Sequence, residues 1–412
     1  MELSAIGAAA RAAAETLAAN TSLRVTALDN IANDIIRDAD TILRENALDL
    51  DAARTAGLSD AMLDRLTLTL PRLEAIAASV RKVRALPDVL GRGDTWVRPN
   101  GLIIRRISVP LGVVGIIYEA RPNVTVDAAV LCLMSGNAVI LRGGKEAIRT
   151  NLALEKSIAS ALEESGLPRT CVQVIPDTSR ETAAAFMKLN GYVDVLIPRG
   201  GKGLIRSVVE NATVPVIETG AGNCHVYVDA SANLSMALDI LDNAKTQRPS
   251  VCNAAENLLV HESIAKEFLP MMYERLTAKH VELRGCDKTR AILPDIKAAT
   301  EEDFFTEYND YILSVKVVAD VKEATQHINI HGTKHSEAII TEDRQCAAYF
   351  TSRIDAAAVY VNASTRFTDG EEYGFGAEIG IATQKLHARG PMGLEALTTI
   401  KYIVEGDGQV RK

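Results

Sequence analysis

The sequence predicts an α/β protein with two parallel-sheet domains and a small β arm. Three observations carry that prediction. Short aliphatic runs alternate with helix-length windows from about residue 108 onward, two such blocks follow one another, and no internal repeat interrupts them. Strand–helix alternation at this spacing argues for parallel strands joined by right-handed crossovers. At about 100–200 residues per domain, a chain of this length makes two or three domains.

Residues 1–85 read as helices, beginning with Ala8, Ala9, Ala10, Ala12, Ala13 and Ala14 in a strong helix former. Thr21 is the expected N-cap of a long amphipathic segment ending near residue 48, with Leu28, Ile31, Ile35, Ile42 and Leu43 at helical spacing. Pro71 suits the first turn of another helix running through Ile76 and Val80. The texture changes at Gly91. Trp96-Val97-Arg98 and Leu102-Ile103-Ile104 flank Pro99-Asn100-Gly101, a good hairpin turn. This ribbon is too short to be a domain and reads as a projecting arm or an inter-domain crossover. Strands are expected at 112–118, 138–141, 172–175, 193–197 and 215–217, with helices at 146–164 and 179–189. The second block offers helices at 234–245, 264–279 and 321–328, and strands at 258–260, 312–318, 338–340 and 358–361. A β-like stretch at 398–404 and a polar tail end the sequence.

Composition narrows the function classes. Hydrophobic residues make up 47% and charged residues 24%, which fits a folded chain rather than a disordered one. Aromatics are only 4%, with the single Trp96, so the core is aliphatic and base-stacking platforms are scarce. Lys plus Arg number 45 against 53 Asp plus Glu, a net charge of −8, so no basic face for nucleic acid is expected. No uncharged apolar run approaches the ~18 residues of a membrane span. Met1-Glu2-Leu3-Ser4 has neither the basic nor the apolar region of a signal peptide. The cysteines at 132, 171, 224, 252, 286 and 346 show no CxxC spacing, and a reducing cytoplasm is expected.

The chemistry lies in turns and loops. There is no GxGxxG after a strand. Gly220-Ala221-Gly222-Asn223-Cys224-His225 is a near miss, and Gly200-Gly201-Lys202-Gly203 lacks the Ser or Thr of a P-loop. Yet Gly-rich turns follow three expected strands: Arg142-Gly143-Gly144-Lys145, Arg199-Gly200-Gly201 and Gly220-Ala221-Gly222. In a parallel sheet they fall at the carboxyl edge, where ligands bind. Any one of them is equally a plain turn. Together, with cations near two helix starts, they indicate a dinucleotide or phosphate site. Cys132 and Cys171 lie in aliphatic runs, and Cys286 and Cys346 have no supporting context. Cys252 differs. It stands in the polar stretch from Lys245 to Asn257, with small residues beside it and Lys245 and Arg248 upstream. Such surroundings can lower a thiol pKa, so Cys252 is either a nucleophile or an incidental loop cysteine. His327, His331 and His335 recur at i, i+4, i+8, but Gly332-Thr333 breaks the helix and no partner has ligand spacing, so no metal is expected. His335 could instead touch an anionic ligand.

Three stretches carry a resemblance: Val109 to Asn123, the Cys252 loop, and His327 to Ile339. On them the chain resembles the aldehyde dehydrogenase superfamily over nearly its whole length. Within it, the third stretch is similar to the gamma-glutamyl phosphate reductase family, with Thr325 as a minor departure. The resemblance implies an aldehyde dehydrogenase-like fold of two Rossmann-like domains: a cofactor-binding domain at 1–95 and 108–228, and a catalytic domain at 229–394. Segments 96–107 and 395–412 would form an oligomerisation arm, implying a homo-oligomer. Cys252 becomes the expected nucleophile, with its own N–H and Asn123 as oxyanion donors. Arg142, Gly143, Lys145, Gly200, Gly201, Glu218, Gly220 and Glu307 become cofactor contacts. Arg142 falls at the adenosine ribose and Glu307 at the nicotinamide ribose. Lys145 falls where NAD-preferring relatives carry a glutamate, which favours NADP. Glu218 occupies the place of the base in hydrolytic relatives, although no water needs activation in a reductase. The implied substrate is L-glutamate 5-phosphate, reduced by NADPH through a Cys252 thioester in the second step of proline synthesis. Arg121, Arg248, Arg366 and His335 are candidates for its carboxylate or phosphate. The lability of an acyl phosphate also raises functional association with glutamate 5-kinase. Two other readings stand beside this one: a cysteine acyl-transferase or hydrolase without a dinucleotide, and a non-catalytic scaffold of the same fold.

Overall fold

The computed structural model describes residues 2–411. Met1 and Lys412, the outer ends of the expected first domain and arm, lie outside the described residues. The chain forms two compact units. One holds the chain up to Glu218, Gly374–Gly380 and the residues from Met392; the other holds Thr219–Tyr373 and Ile381–Pro391.

In the first unit a three-stranded antiparallel arm consists of β1 (Gly93–Val97), β2 (Ile103–Pro110) and the final strand Thr398–Glu405. The expected hairpin is present, with Val97 opposite Ile103 and the Arg98 N–H donating to the Leu102 carbonyl at 2.8 Å. Gly101 takes φ +86°, a left-handed turn position that favours glycine. The core sheet has four parallel strands in the order β5 (Val172–Val174), β4 (Ala138–Arg142), β3 (Val113–Tyr118), β6 (Val195–Arg199). All six β3 residues are buried, as a parallel strand covered on both faces requires. The helix Pro122–Met134 is apolar on nearly every side and buried accordingly, so it gave no helical periodicity to read.

The long helix expected from Thr21 is two helices, Thr21–Arg37 and Ala39–Thr55, and Asn20 rather than Thr21 is the N-cap. They part at Asp38, whose carboxylate accepts from Arg37 and from the Ser157 hydroxyl. The strand expected at 215–217 is reduced to one bridge between Leu196 and Val216.

The second unit is built on seven parallel strands: β7 (Cys224–Val228), β8 (Ala255–His261), β9 (Glu282–Gly285), β10 (Lys297–Ala298), β11 (Ile312–Val318), β12 (Ser336–Ile340) and β13 (Ala358–Val361). Their order is β10-β9-β11-β8-β7-β12-β13. Residues 219–228, read from sequence with the first domain, lie here because β7 pairs with β8 and β12. Aliphatic side chains from β7, β8, β11 and β12 form the core with Phe268, Leu269 and Met272 of the helix Ala265–Thr277.

Asn137 ties the arm to the first unit's sheet. Its Oδ1 accepts from the Gly112 N–H at 2.8 Å, and its Nδ2 donates to the Leu397 carbonyl at 2.9 Å. Asn137→Ala leaves both backbone groups without this partner, and each buried group so stranded costs about 1–3 kcal/mol. The expected result is a lower thermal midpoint with faster amide exchange in β2 and the final strand. Unchanged exchange there would show that the arm does not depend on Asn137.

Candidate active site

Cys252 lies in the second unit, in the loop between the helix Leu234–Thr246 and β8, and its side chain is partly accessible. A fully buried ion pair closes the base of that loop. Lys245 Nζ, at the helix end, is 2.6 Å from Glu256 Oε2, in β8. Burial pushes the lysine pKa down and the glutamate up, and each charge offsets the shift of the other. The other Glu256 oxygen accepts from the Asn309 N–H at 3.1 Å, which draws in the loop carrying Glu307.

Glu307 Oε1 accepts from the Gly222 N–H at 2.8 Å. Gly222 packs so tightly on the Cys252 loop that a Cβ there would stand 1.4 Å from the Cys252 carbonyl oxygen. No other residue fits. The thiol of Cys224 donates to the same oxygen at 3.2 Å. Burial, then the Glu337 charge and that of Cys252, push the Cys224 thiol well up, so it stays a neutral donor.

The stretch 327–339 serves this region as support. Asn223 Nδ2 donates to the His331 carbonyl at 2.9 Å, and the Asn223 N–H donates to Thr333 Oγ1 at 3.0 Å. Glu337 Oε2 accepts from the His225 N–H at 2.7 Å and lies 3.0 Å from His225 Nδ1. His335 is fully buried, its Nδ1 2.8 Å from Ser336 Oγ and 3.8 Å from Cys224 Sγ. His327 and His331 stack with ring centroids 3.9 Å apart. Among the described residues no group of His, Cys, Asp and Glu is arranged to hold a metal.

Two arginines are associated with the Cys252 loop: Arg248 belongs to it, and Arg366 interacts with Arg248 and Cys252. Arg248 is exposed. Arg366 is partly buried, with Nε donating to Gln247 Oε1 at 2.9 Å and Nη1 to Asn253 Oδ1. Burial and then Arg248 lower the Arg366 pKa, while Asp369 and Cys252 raise it. Gly220 is held by its N–H to the Ile381 carbonyl at 3.1 Å.

The first unit presents its own carboxyl-edge turns. A Cβ on Gly143 would stand 2.3 Å from Asn151 Nδ2, so a side chain in the turn after β4 would have to displace that amide. Lys145 follows, exposed at the start of a short 3-10 turn. After β6, the Gly201 N–H opens the helix Lys202–Asn211 and donates to Glu119 Oε2 at 2.8 Å, while Gly200 packs against the same carboxylate. Arg142 Nη2 donates to the carbonyls of Thr178 and Ser179 at 2.6 and 3.0 Å, so this cation fastens the loop after β5. Arg121 caps the helix Pro122–Met134, where Asn123 Nδ2 donates to Asp127 Oδ2 at 3.0 Å. Glu218, partly buried, is the last residue of this unit before the crossing.

The sequence reading named Cys252, Glu307 and the two arginines but missed Lys245 with Glu256, and Asn253, Gln247 and Cys224. One signal was available: Glu256 interrupts the apolar run Ala254-Ala255-Glu256-Asn257-Leu258-Leu259-Val260, a place where a charge needs a partner.

Comparison with known proteins agrees with this architecture. Residues 3–300 match the model of the aldehyde dehydrogenase family. The gamma-glutamyl phosphate reductase of Clostridium perfringens is 60% identical over 100% of this chain and 99% of that protein. That of Heliobacterium modesticaldum is 58% identical with the same coverage. The crystal structure of the gamma-glutamyl phosphate reductase of Thermotoga maritima superposes with a TM-score of 0.98, at 50% identity and 100% coverage of both chains. An acetylating aldehyde dehydrogenase of Geobacillus thermoglucosidasius shares the fold, with a TM-score of 0.71 at 20% identity over 99% of this chain and 97% of that one. The chain therefore belongs to the aldehyde dehydrogenase family and, within it, to the gamma-glutamyl phosphate reductases. Membership implies a nicotinamide cofactor. Among the described residues no helix is long and apolar enough to cross a membrane.

The histidine stack gives a pH prediction. Burial holds His327 at about 2, with His225, His331 and Lys316 acting in the same direction. Its folded pKa thus lies below its unfolded value, and the unfolded chain takes the proton first. Its contribution is full above the unfolded pKa of about 6.5 and is lost as pH falls, by at most ~1.4 kcal/mol per pH unit. His327→Phe removes that titration, so the fall of the thermal midpoint on acidification becomes shallower. An unchanged slope would mean that His327 is already charged in the folded protein.

Proposed function

We propose that this protein reduces L-glutamate 5-phosphate to L-glutamate 5-semialdehyde and phosphate, through a thioester on Cys252 and with NADPH, as the second step of proline synthesis from glutamate. The observation that carries the reading is the partly accessible Cys252 on a loop braced at its base by a buried ion pair, with two arginines beside it, in a chain 60% identical to a gamma-glutamyl phosphate reductase.

The chemistry follows from the groups present. The Cys252 thiolate attacks the acyl carbonyl, the bond to the phosphate oxygen breaks, and phosphate leaves. The backbone N–H of Cys252 is the donor for the oxyanion. The nicotinamide, when bound, supplies the hydride that reduces the thioester. Collapse of the resulting thiohemiacetal releases the aldehyde and restores the thiolate. Arg248, exposed on the same loop as Cys252, is the cation proposed for an anionic end of the substrate, with Arg121 as a second candidate.

The dinucleotide is assigned to the turns after β4 and β6. The fit rests on two features. Gly143 leaves the first turn without a side chain, and the N-terminus of the helix Lys202–Asn211 already receives an anionic oxygen, that of Glu119. Lys145 is the cation proposed for a 2′-phosphate, which selects NADP. Glu307, held by the Gly222 N–H, is proposed for the nicotinamide ribose.

The arm leaves Trp96, Val97, Ile103, Ile400, Tyr402 and Val404 exposed, an apolar surface that supports a homo-oligomer formed through it. Six cysteines without a disulfide fit a reducing cytoplasm, where association with glutamate 5-kinase would shield the labile substrate.

An NADP-dependent assay in reverse, with glutamate semialdehyde and phosphate, tests the activity. Cys252→Ser should lower turnover by about 10³-fold or more while NADPH still binds, since a serine does not ionise near neutral pH. Near-normal turnover would exclude the thioester. Lys145→Glu should shift the ratio of NADP to NAD affinity by about 10- to 150-fold, the equivalent of ~1.5–3 kcal/mol for a charge-assisted contact. An unchanged ratio would place the 2′-phosphate elsewhere.

A further inference from the structure

The Cys252 loop is gripped by the segment 364–368, and Arg366 is the centre of the grip. Thr365 Oγ1 donates to the Asn253 carbonyl at 2.7 Å. Asn253 Nδ2 donates to the Thr368 carbonyl at 2.9 Å and to the Arg366 carbonyl at 3.3 Å. The Arg366 guanidinium adds its own bonds to Gln247 and Asn253. Those two residues bracket Cys252 in sequence, so a single side chain ties both limbs of the loop. Arg248 comes from the same loop, but it is exposed.

We infer that Arg366 is a positioning residue for the nucleophile rather than a contact for the substrate: it fixes the loop and keeps the Cys252 sulfur ionised. This rests on the reading of Cys252 as the nucleophile. The charge environment requires such a cation. The ionisable groups that act on Cys224 or Arg366 beside Cys252 include Glu307 from the loop before β11, Glu256 in β8 with its partner Lys245, Glu337 in β12, His335 with Nδ1 3.8 Å from Cys224 Sγ, Asp369 after the gripping segment, and Arg248. Of the carboxylates, Glu256 is neutralised by Lys245 and Glu337 faces His225. Glu307 and Asp369 remain, and both disfavour a thiolate. A guanidinium withdrawn from water acts more strongly than an exposed one, because water screens it less. Arg366, half-buried and held at two points, meets that condition; Arg248 does not.

The test is the pH dependence of Cys252 alkylation by iodoacetamide in the full chain, with the labelled site identified by mass spectrometry. Arg366→Gln should move the midpoint up by about one pH unit or more, slowing alkylation about tenfold below it. Turnover should fall through kcat, with KM for the acyl phosphate little changed, and higher pH should restore part of it. Arg366→Lys keeps the charge while losing the fork, and its midpoint should stay near that of the parent. An unchanged midpoint in Arg366→Gln overturns the inference, as does a lysine variant whose midpoint rises as far as the glutamine variant's. If Arg366→Gln does not fold, the lysine variant decides alone: a retained midpoint supports the role of the charge, and a midpoint a full unit higher removes it. A Cys252→Ser protein that still turns over would instead remove the nucleophile reading itself, whatever Arg366 does.

Discussion

The second unit depends on a lysine and a glutamate with no access to water. Lys245 and Glu256 stand at the two feet of the Cys252 loop, 2.6 Å apart and fully buried. Burying two charges costs several kcal/mol each, and only close pairing with further hydrogen bonds offsets it. Here the further bond goes to the Asn309 N–H. The pair therefore joins three pieces of chain: the helix before the nucleophile, the strand after it, and the loop that carries Glu307. From Glu307 the connection returns through the Gly222 N–H to the backbone of Cys252. The structure closes a ring in which the Cys252 loop and the Glu307 loop cannot move independently. Removing one partner would leave the other as an uncompensated buried charge, the costliest way to break such a ring.

Beneath that ring, the stretch 327–339 explains its own composition. Its histidines recur at a spacing that suggests a metal site until Gly332-Thr333 is seen to break the helix, which left His335 as a candidate anion contact. In the structure they face inward, and the segment gives its polar groups to Asn223 and His225 at the start of β7. Cys224, between those two residues, donates to the Cys252 carbonyl. The motif thus fixes the floor on which the nucleophile loop rests.

What the sequence disclosed follows from what kind of physics was local. Strands 312–318 and 358–361 were legible to the residue, because short aliphatic runs bounded by polar residues have few other ways to fold. The helix Pro122–Met134 was not, since an all-round apolar surface has no period, and β7 was hidden because Gly220 and Gly222 just before it resembled a phosphate turn. Cys252 stood out by its polar, small-residue neighbours. Its supports did not, since Lys245, Glu256 and Asn309 become partners only once a parallel sheet brings β8 and β11 side by side. Arg142 carries a contact the sequence did not show: beside its glycine turn it reads as a ligand contact, and its Nη2 also donates to two backbone carbonyls of the next loop.

The two arginines at Cys252 resolve an electrostatic difficulty of the whole chain. With a net charge of −8, the protein opposes the approach of an anionic substrate and an anionic cofactor alike. Diffuse positive charge would not help, since exposed cations separated from the site by more than a Debye length of about 8 Å are screened. Local cations are needed, and one cation could not serve both purposes. A guanidinium that binds an incoming anion is neutralised when the anion arrives, and would then no longer hold a thiolate at the moment of attack. On the proposed reading, two cations in different states of exposure separate the tasks: a pinned, half-buried one acts on the sulfur throughout, and an exposed one meets the ligand. Burial and then the repulsion of Arg248 lower the Arg366 pKa, the cost of placing both arginines at one loop, and Gln247, Asn253 and Asp369 hold the arrangement against it.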